Sequence, residues 1–245
     1  MSAIFGIVTR TDSPLAPSLV NALRDAMTTW GAAGCEVWSD GRAVLGQARS
    51  TSPPEAQMQS LPAFDDAGRF AFTMAGRLDE RDELLASLGA DAPPGTRGPV
   101  ADDIVGQACY RRWGDGAPAR LYGDWAFAAW HPADRKLVLA RDHSGNTALY
   151  YHSGPRLFAF ASSRQALLAA GLAEVTIDEL YLAQLLIAWP AYHGDRTVHV
   201  PIRRLPPAHL LSVTPDRVQS RRYWSLEDVP ELRLADRNEY VEAFL

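Results

Sequence analysis

Leu121-Tyr122-Gly123-Asp124-Trp125-Ala126-Phe127-Ala128-Ala129-Trp130 is the stretch on which the fold turns. From Asp124 to Trp130 nearly every position is apolar. A strand with one wet face alternates apolar and polar residues, whereas a strand apolar at successive positions is covered on both faces. Three more runs follow: Lys136–Arg141, Ala148–His152 and Leu157–Ala161. Turn residues separate them at His131-Pro132, Ser144-Gly145-Asn146 and Ser153-Gly154-Pro155. Each of these linkers is short, so antiparallel pairing is expected.

The same reading extends outward. Ala3–Thr9 is a short strand, apolar on both faces, and 36–38, 42–48 and 69–75 read as further strands. Asp40-Gly41 joins two of them as a hairpin turn. Leu15, Leu19, Leu23, Ala26 and Met27 recur at helical spacing after Asp12-Ser13-Pro14, giving a helix of about 15 residues that ends near Trp30-Gly31. Helices are also predicted at Asp79–Leu88, Ala101–Trp113, Ser163–Leu172 and Asp178–Ala188, with loops at 50–62 and 89–99. A last hairpin spans Leu210–Val213 and Val218–Arg221 around Pro215-Asp216. Antiparallel strands apolar on both faces, interleaved with helices, imply an α+β domain of two stacked sheets with helices outside.

The chain has 245 residues, 47% apolar and 22% charged, with a formal net charge of −5. That composition is ordinary for a globular chain long enough to bury a core, and without a long basic run it argues against nucleic-acid binding. The longest apolar run, Leu180–Trp189, is about half of what a membrane span needs and contains Gln184. With no signal-peptide pattern, a cytoplasmic location is expected. Cys35 and Cys109 lie far apart, with no His at metal-ligand spacing, and read as buried or half-buried thiols; no metal site is expected.

Several ordered runs carry a family resemblance over about residues 1–225. Met1-Ser2-Ala3-Ile4-Phe5-Gly6-Ile7-Val8 opens it and Leu121–Trp130 is its densest part. Leu139-Ala140-Arg141-Asp142-His143-Ser144-Gly145, Leu149-Tyr150-Tyr151, Phe158–Ser162, Leu205-Pro206-Pro207-Ala208-His209 and Tyr223-Trp224 complete it. The chain resembles the class II glutamine amidotransferase domain of the asparagine synthetase family. The resemblance implies the four-layer αββα N-terminal nucleophile (Ntn) sandwich, over residues 1–224. Within these runs the residues themselves read as scaffold: core strand at Asp124–Trp130, and a hairpin turn at Asp142–Gly145 with Gly145 at positive φ.

In the family the nucleophile is a Cys after the initiator Met, and its free α-amine, with a pKa of about 7.7–8.0, serves as base. Here that position is Ser2, and a hydroxyl needs far stronger activation than a thiol. The resemblance places the Arg-Gly-Pro-Asp segment that holds the glutamine carboxylate on Trp30-Gly31-Ala32-Ala33, without its Arg. It places the Asn-Gly oxyanion pair on Ala75-Gly76, without the Asn, and the Gly-Ser-Asp segment on Val100-Ala101-Asp102, keeping the acid. Gly76 and Asp102 are the substrate-binding positions that remain. Read on its own, Gly76 is a turn residue, and Asp102 is a helix N-terminal residue favoured by the macrodipole. Ser2 is either the first residue of a strand or, in an amidohydrolase reading, an Ntn serine nucleophile. Cys35 lacks the N-terminal amine that a displaced nucleophile would need.

Losing one oxyanion donor costs about 10²–10³ in rate, so the expectation is a degenerate glutaminase. Family members without the nucleophile use an amine already present in the substrate, as β-lactam synthetases and lasso peptide macrolactam cyclases do. The opening octapeptide and the Tyr122–Trp130 run are most similar to the lasso cyclases. The resemblance then implies a C-terminal ATP- and magnesium-dependent synthetase domain as partner, acting on a peptide or a small amine or carboxylate substrate. No Ser-Gly-Gly-x-Asp-Ser pyrophosphate loop occurs in this chain, so no cofactor is expected in it. Asp236–Leu245, with Tyr240, Val241, Phe244 and Leu245 on one face, reads as the first helix after a linker from residue 225; it either docks back or leads into further chain. The alternatives are a Ser2 amidohydrolase, a glutamine-hydrolysing asparagine synthetase relative, and a free-standing binding module.

Overall fold

The computed structural model describes residues 2–31, 33–50, 62–65, 68–93, 100–187 and 194–244. Twelve strands among the described residues form two antiparallel sheets of six. In the first the spatial order is β10 (Arg203–Arg204), β8 (Tyr150–Ser153), β9 (Leu157–Ala161), β1 (Ala3–Thr9), β3 (Ala43–Ala48) and β2 (Cys35–Ser39). In the second it is β12 (Val218–Arg222), β11 (His209–Val213), β7 (Lys136–Arg141), β6 (Gly123–His131), β5 (Ala71–Leu78) and β4 (Ala63–Phe64).

The apolar run of β6 explains the layering. Trp125, Phe127 and Ala129 point outward and pack with Phe72, Met74, Val105 and Cys109 beneath α2 (Arg81–Leu88) and α3 (Asp102–Trp113). Ala126, Ala128 and Trp130 point inward, into the space between the sheets, with Ile4, Val8, Leu45 and Phe158. β1 is the mirror case: Phe5 and Ile7 face α1 (Pro17–Met27) and α4 (Arg164–Ala169), while Ile4 and Val8 face inward. Each large side chain buried this way contributes about 1.5–3 kcal/mol. The result is the expected helix–sheet–sheet–helix sandwich.

Local chemistry moved several boundaries. The first helix starts at Pro17, not after Pro14, and spans 11 residues before a 3₁₀ turn at Thr28–Trp30. Asp40 Oδ1 accepts from the Arg42 and Ala43 N–H groups at 2.8 and 2.7 Å, and Gly41 has φ +85°, so the β2–β3 hairpin turn is as read. The Arg141–Gly145 segment is not a hairpin. It leaves β7 in the second sheet and leads to β8 in the first; Asp142 pins it by accepting from Asn146 and Thr147 N–H at 3.0 and 2.9 Å. Gly145 does sit at positive φ, +69°. β4 and β10, two residues each, were not anticipated.

α5 (Glu179–Ile187) and α6 (Arg237–Phe244) form where helices were predicted. Phe244 is 90% exposed, so the apolar face of α6 is not docked on the domain. Most of the predicted loops at 50–62 and 89–99, the ends of the 178–188 helix and of the Leu180–Trp189 run, and Met1, Ala32 and Leu245 lie outside the described residues. No helix among the described residues is long and apolar enough to cross a membrane, and no cluster of metal-ligating side chains occurs among them.

Candidate functional site

Ser2 is half-buried immediately before β1, and its Oγ accepts from the Ser50 N–H at 3.2 Å. Two residues on, Ile4 N–H donates to Ser162 Oγ at 3.0 Å, and Ser162 N–H returns a bond to Ile4 O at 2.8 Å. The N-terminus is thus tied to the ends of both neighbouring strands. The Trp30 segment closes over the same end: Ala33 N–H donates to Arg49 O at 3.0 Å, and Arg49 N–H to Gly34 O at 2.9 Å. Trp30 itself is 48% exposed, an indole where the family resemblance places a guanidinium.

The second sheet reaches this end through Gln47. Its Nε2 crosses the inter-sheet space to Met74 O at 2.8 Å, which sets Ala75 and Gly76 opposite the start of β1. Ala75 is 1% exposed and belongs to the inter-sheet core. Gly76 is not a turn residue. It lies inside β5 opposite Trp125 with φ +134°, and a Cβ there would sit 2.1 Å from the Asp124 carbonyl oxygen. Close approach of β6 therefore demands glycine at this position irrespective of any ligand.

Asp102 is the first residue of α3, as its sequence context suggested. One carboxylate oxygen accepts from Leu78 N–H at 3.0 Å, and the other pairs with Arg81, whose guanidinium also bonds Val100 O. Both oxygens hold α2, α3 and the end of β5 together. Ser2, the Ala75-Gly76 pair and Asp102 are all brought to one end of the sandwich, and Asp102 already has partners there.

Three features of this end were not singled out from sequence. Arg49 follows β3 next to Ser50 and sends its guanidinium toward β2, with Nη2 3.1 Å from Glu36 Oε1. Arg81 supplies the partner of Asp102. The third is Asp103, only 2% exposed, whose Oδ1 accepts from Ile104 N–H at 2.8 Å. Burial, reinforced by the neighbouring Asp102 charge, pushes its carboxyl up to about 7 against the hydrogen bonds from Ile104 and Gln47. A signal for Asp103 existed: Asp103, Gly106, Gln107 and Tyr110 share one helical stripe, and all four are buried. Cys35 is the first residue of β2 and packs with the outer core under α1, where burial raises its thiol pKa. It is not aimed between the sheets with Gln47. Cys109 lies on the buried, sheet-facing side of α3, its thiol pushed up to about 12 by burial.

The family model described as a glutamine amidotransferase domain matches residues 1–224. The chain belongs to the glutamine amidotransferase domain family. It is 23% identical over 209 residues to asparagine synthetase [glutamine-hydrolyzing] 3 of Bacillus subtilis, covering 85% of this chain and 34% of that protein. Asparagine synthetase [glutamine-hydrolyzing] 1 of the same organism is 29% identical over 116 residues, 47% of this chain and 18% of that one. The chain therefore spans about a third or less of the curated relatives it matches. Among solved structures, glutamine phosphoribosylpyrophosphate amidotransferase from B. subtilis superposes with a TM-score of 0.65 at 15% identity, over 91% of this chain and 49% of that one. A structure titled the allosteric regulatory enzyme of purine biosynthesis gives the same TM-score at 16% identity, with the same coverage. These neighbours establish the fold: this glutamine amidotransferase domain is an Ntn-type α+β sandwich.

Proposed function

We propose that this domain has lost glutamine hydrolysis and serves as the N-terminal support of an ATP-dependent amide-forming synthetase of the lasso peptide cyclase type. One observation carries the reading. At the position where the family resemblance calls for an amide side chain, the chain has Ala75, buried in the inter-sheet core and unable to donate to an oxyanion. Three further features point the same way. Ser2 stands in place of the thiol, Trp30 stands in place of the Arg, and both oxygens of Asp102 are already engaged.

In this reading, ATP and magnesium bind the further domain, which adenylates a carboxylate with release of pyrophosphate. An amine of the same peptide or small substrate then displaces AMP, so glutamine-derived ammonia is not needed. This domain would contribute support and a surface for the substrate. The test is the intact protein supplied with Mg-ATP and a peptide carrying both groups. Pyrophosphate and amide formation independent of added glutamine are expected; turnover that requires glutamine contradicts the proposal.

A further inference from the structure

α3 carries Asp102 at one end of the second sheet and Arg111 at the other. β5 and β6 run between the same two ends: Leu78 pairs with Gly123 near Gly76, and Ala71 pairs with Trp130 at the far end. At that far end, away from Gly76, lies a cavity of about 680 Å³. Its walls include the rings of Phe64, Phe70, Tyr110 and His131, and its cations are Arg69 and Arg111. Ligand cavities are mostly apolar and aromatic with a few convergent polar groups, and this one has that make-up.

The rings are held in place by one another. Phe70 sits edge-on to Tyr110 with centroids 5.1 Å apart, and Tyr110 Oη is 2.8 Å from His131 Nε2. The hydroxyl and the imidazole thus satisfy each other. Burial lowers the His131 pKa, so the imidazole is uncharged at neutral pH. Phe64, 37% exposed, stacks on Trp38 at 5.4 Å with 15° between the planes, which leaves ring surface for a second planar group.

The guanidiniums are less well satisfied. Both turn Nε toward the buried Asp65, with Arg69 Nε 3.4 Å and Arg111 Nε 3.9 Å from its Oδ2. Asp65 Oδ1 is taken up by the Arg69 and Phe70 N–H groups. At 3.9 Å the Arg111 Nε–H is beyond hydrogen-bonding reach, and it has no other acceptor among the described residues. The Nη groups of both arginines also have no hydrogen-bond partner among those residues. Two positive charges therefore share one carboxylate, and one charge is left for an acceptor to meet. Asp134, on the exposed rim, disfavours a ligand with a second negative charge.

We infer that this cavity binds a planar aromatic monocarboxylate, with its ring against Phe64 and Phe70 and its carboxylate on the Arg69–Arg111 pair. The site uses no residue of the Ser2 end and does not rest on the synthetase reading. The test is calorimetric titration of the chain with 2-naphthoate. Saturable binding of one equivalent is expected, with Kd below about 1 mM. 2-Naphthamide, with the ring but no charge, and inorganic phosphate, with charge but no ring, should each bind at least about tenfold more weakly. Arg69→Ala and Arg111→Ala should each weaken 2-naphthoate about tenfold or more. Arg111→Lys keeps a cation beside Asp65 but loses the fork; it should weaken binding too, and it serves if Arg111→Ala does not fold. Arg120→Ala, whose guanidinium lies over the Trp113 ring at 5.1 Å, should bind as the parent does. No saturable binding up to about 5 mM overturns the inference. So does 2-naphthamide or phosphate binding as tightly as 2-naphthoate, affinity unchanged in the Arg69 and Arg111 variants, or affinity lost in Arg120→Ala.

Discussion

Asp103→Asn isolates the buried carboxyl beneath the Ser2 end of the sandwich. The side chain is 2% exposed, and Asn fills the same volume without a charge. Burial pushes its carboxyl up to about 7 in the folded protein, against about 3.9 for a free aspartate. Each factor of ten in acidity is worth about 1.4 kcal/mol, so keeping Asp103 ionised in the fold costs up to about 4 kcal/mol. The sign follows from proton binding. The folded state holds this proton up to about pH 7, while the unfolded state releases it near 4. The stability the group contributes is complete below about pH 4 and lost as pH rises to about 7. Since the Asn amide must also be desolvated, the gain at pH 8 is expected to be about 2–3 kcal/mol. The assay is urea unfolding followed by tryptophan fluorescence, parent against variant, from pH 4 to 8. The difference should be small at pH 4, widen to about pH 7 and then level off. A difference that does not vary with pH, or a variant less stable than the parent at pH 8, refutes the assignment.

Other substitutions test the scaffold. Gly76→Ala drives a Cβ to 2.1 Å from the Asp124 carbonyl at φ +134° and should cost about 2–4 kcal/mol in thermal unfolding, with no role for a ligand. Asp142→Ala removes the acceptor of the Asn146 and Thr147 N–H groups and should lower stability by about 1–3 kcal/mol, with faster hydrogen exchange at those two amides. Phe127→Ala opens a cavity between the second sheet and α3 and should cost about 3–5 kcal/mol in denaturant unfolding.

The fold was legible because β1 and β6 are apolar on both faces, which leaves a sheet no option but to be covered twice. Helix positions followed from spacing, but their starts did not: Pro14 and Pro17 are both suitable openings, and tertiary packing chose Pro17. β4 and β10 are too short to carry a period. The turn at Ser144-Gly145-Asn146 looked like a hairpin because turn chemistry is local, whereas the sheet a chain enters next depends on distant partners. Gly76 has the look of a turn residue for the same reason, since its positive φ goes with the close approach of β6, some fifty residues away in the chain. Within the site, Ser2, Ala75, Gly76 and Asp102 were located by family resemblance. What occupies Asp102, the Arg81 ion pair, is a contact between two helices that no spacing announces.

The central claim, that this amidotransferase domain does not hydrolyse glutamine, is tested most directly by ammonia release. The chain should first be shown by mass spectrometry to begin at Ser2, then incubated with L-glutamine alongside Ser2→Ala. Ammonia at the rate of the protein-free control is expected for both, and Ser2→Cys alone should not raise it, because Ala75 still lacks a donor. Glutamine-dependent ammonia from the parent that disappears in Ser2→Ala would contradict the account.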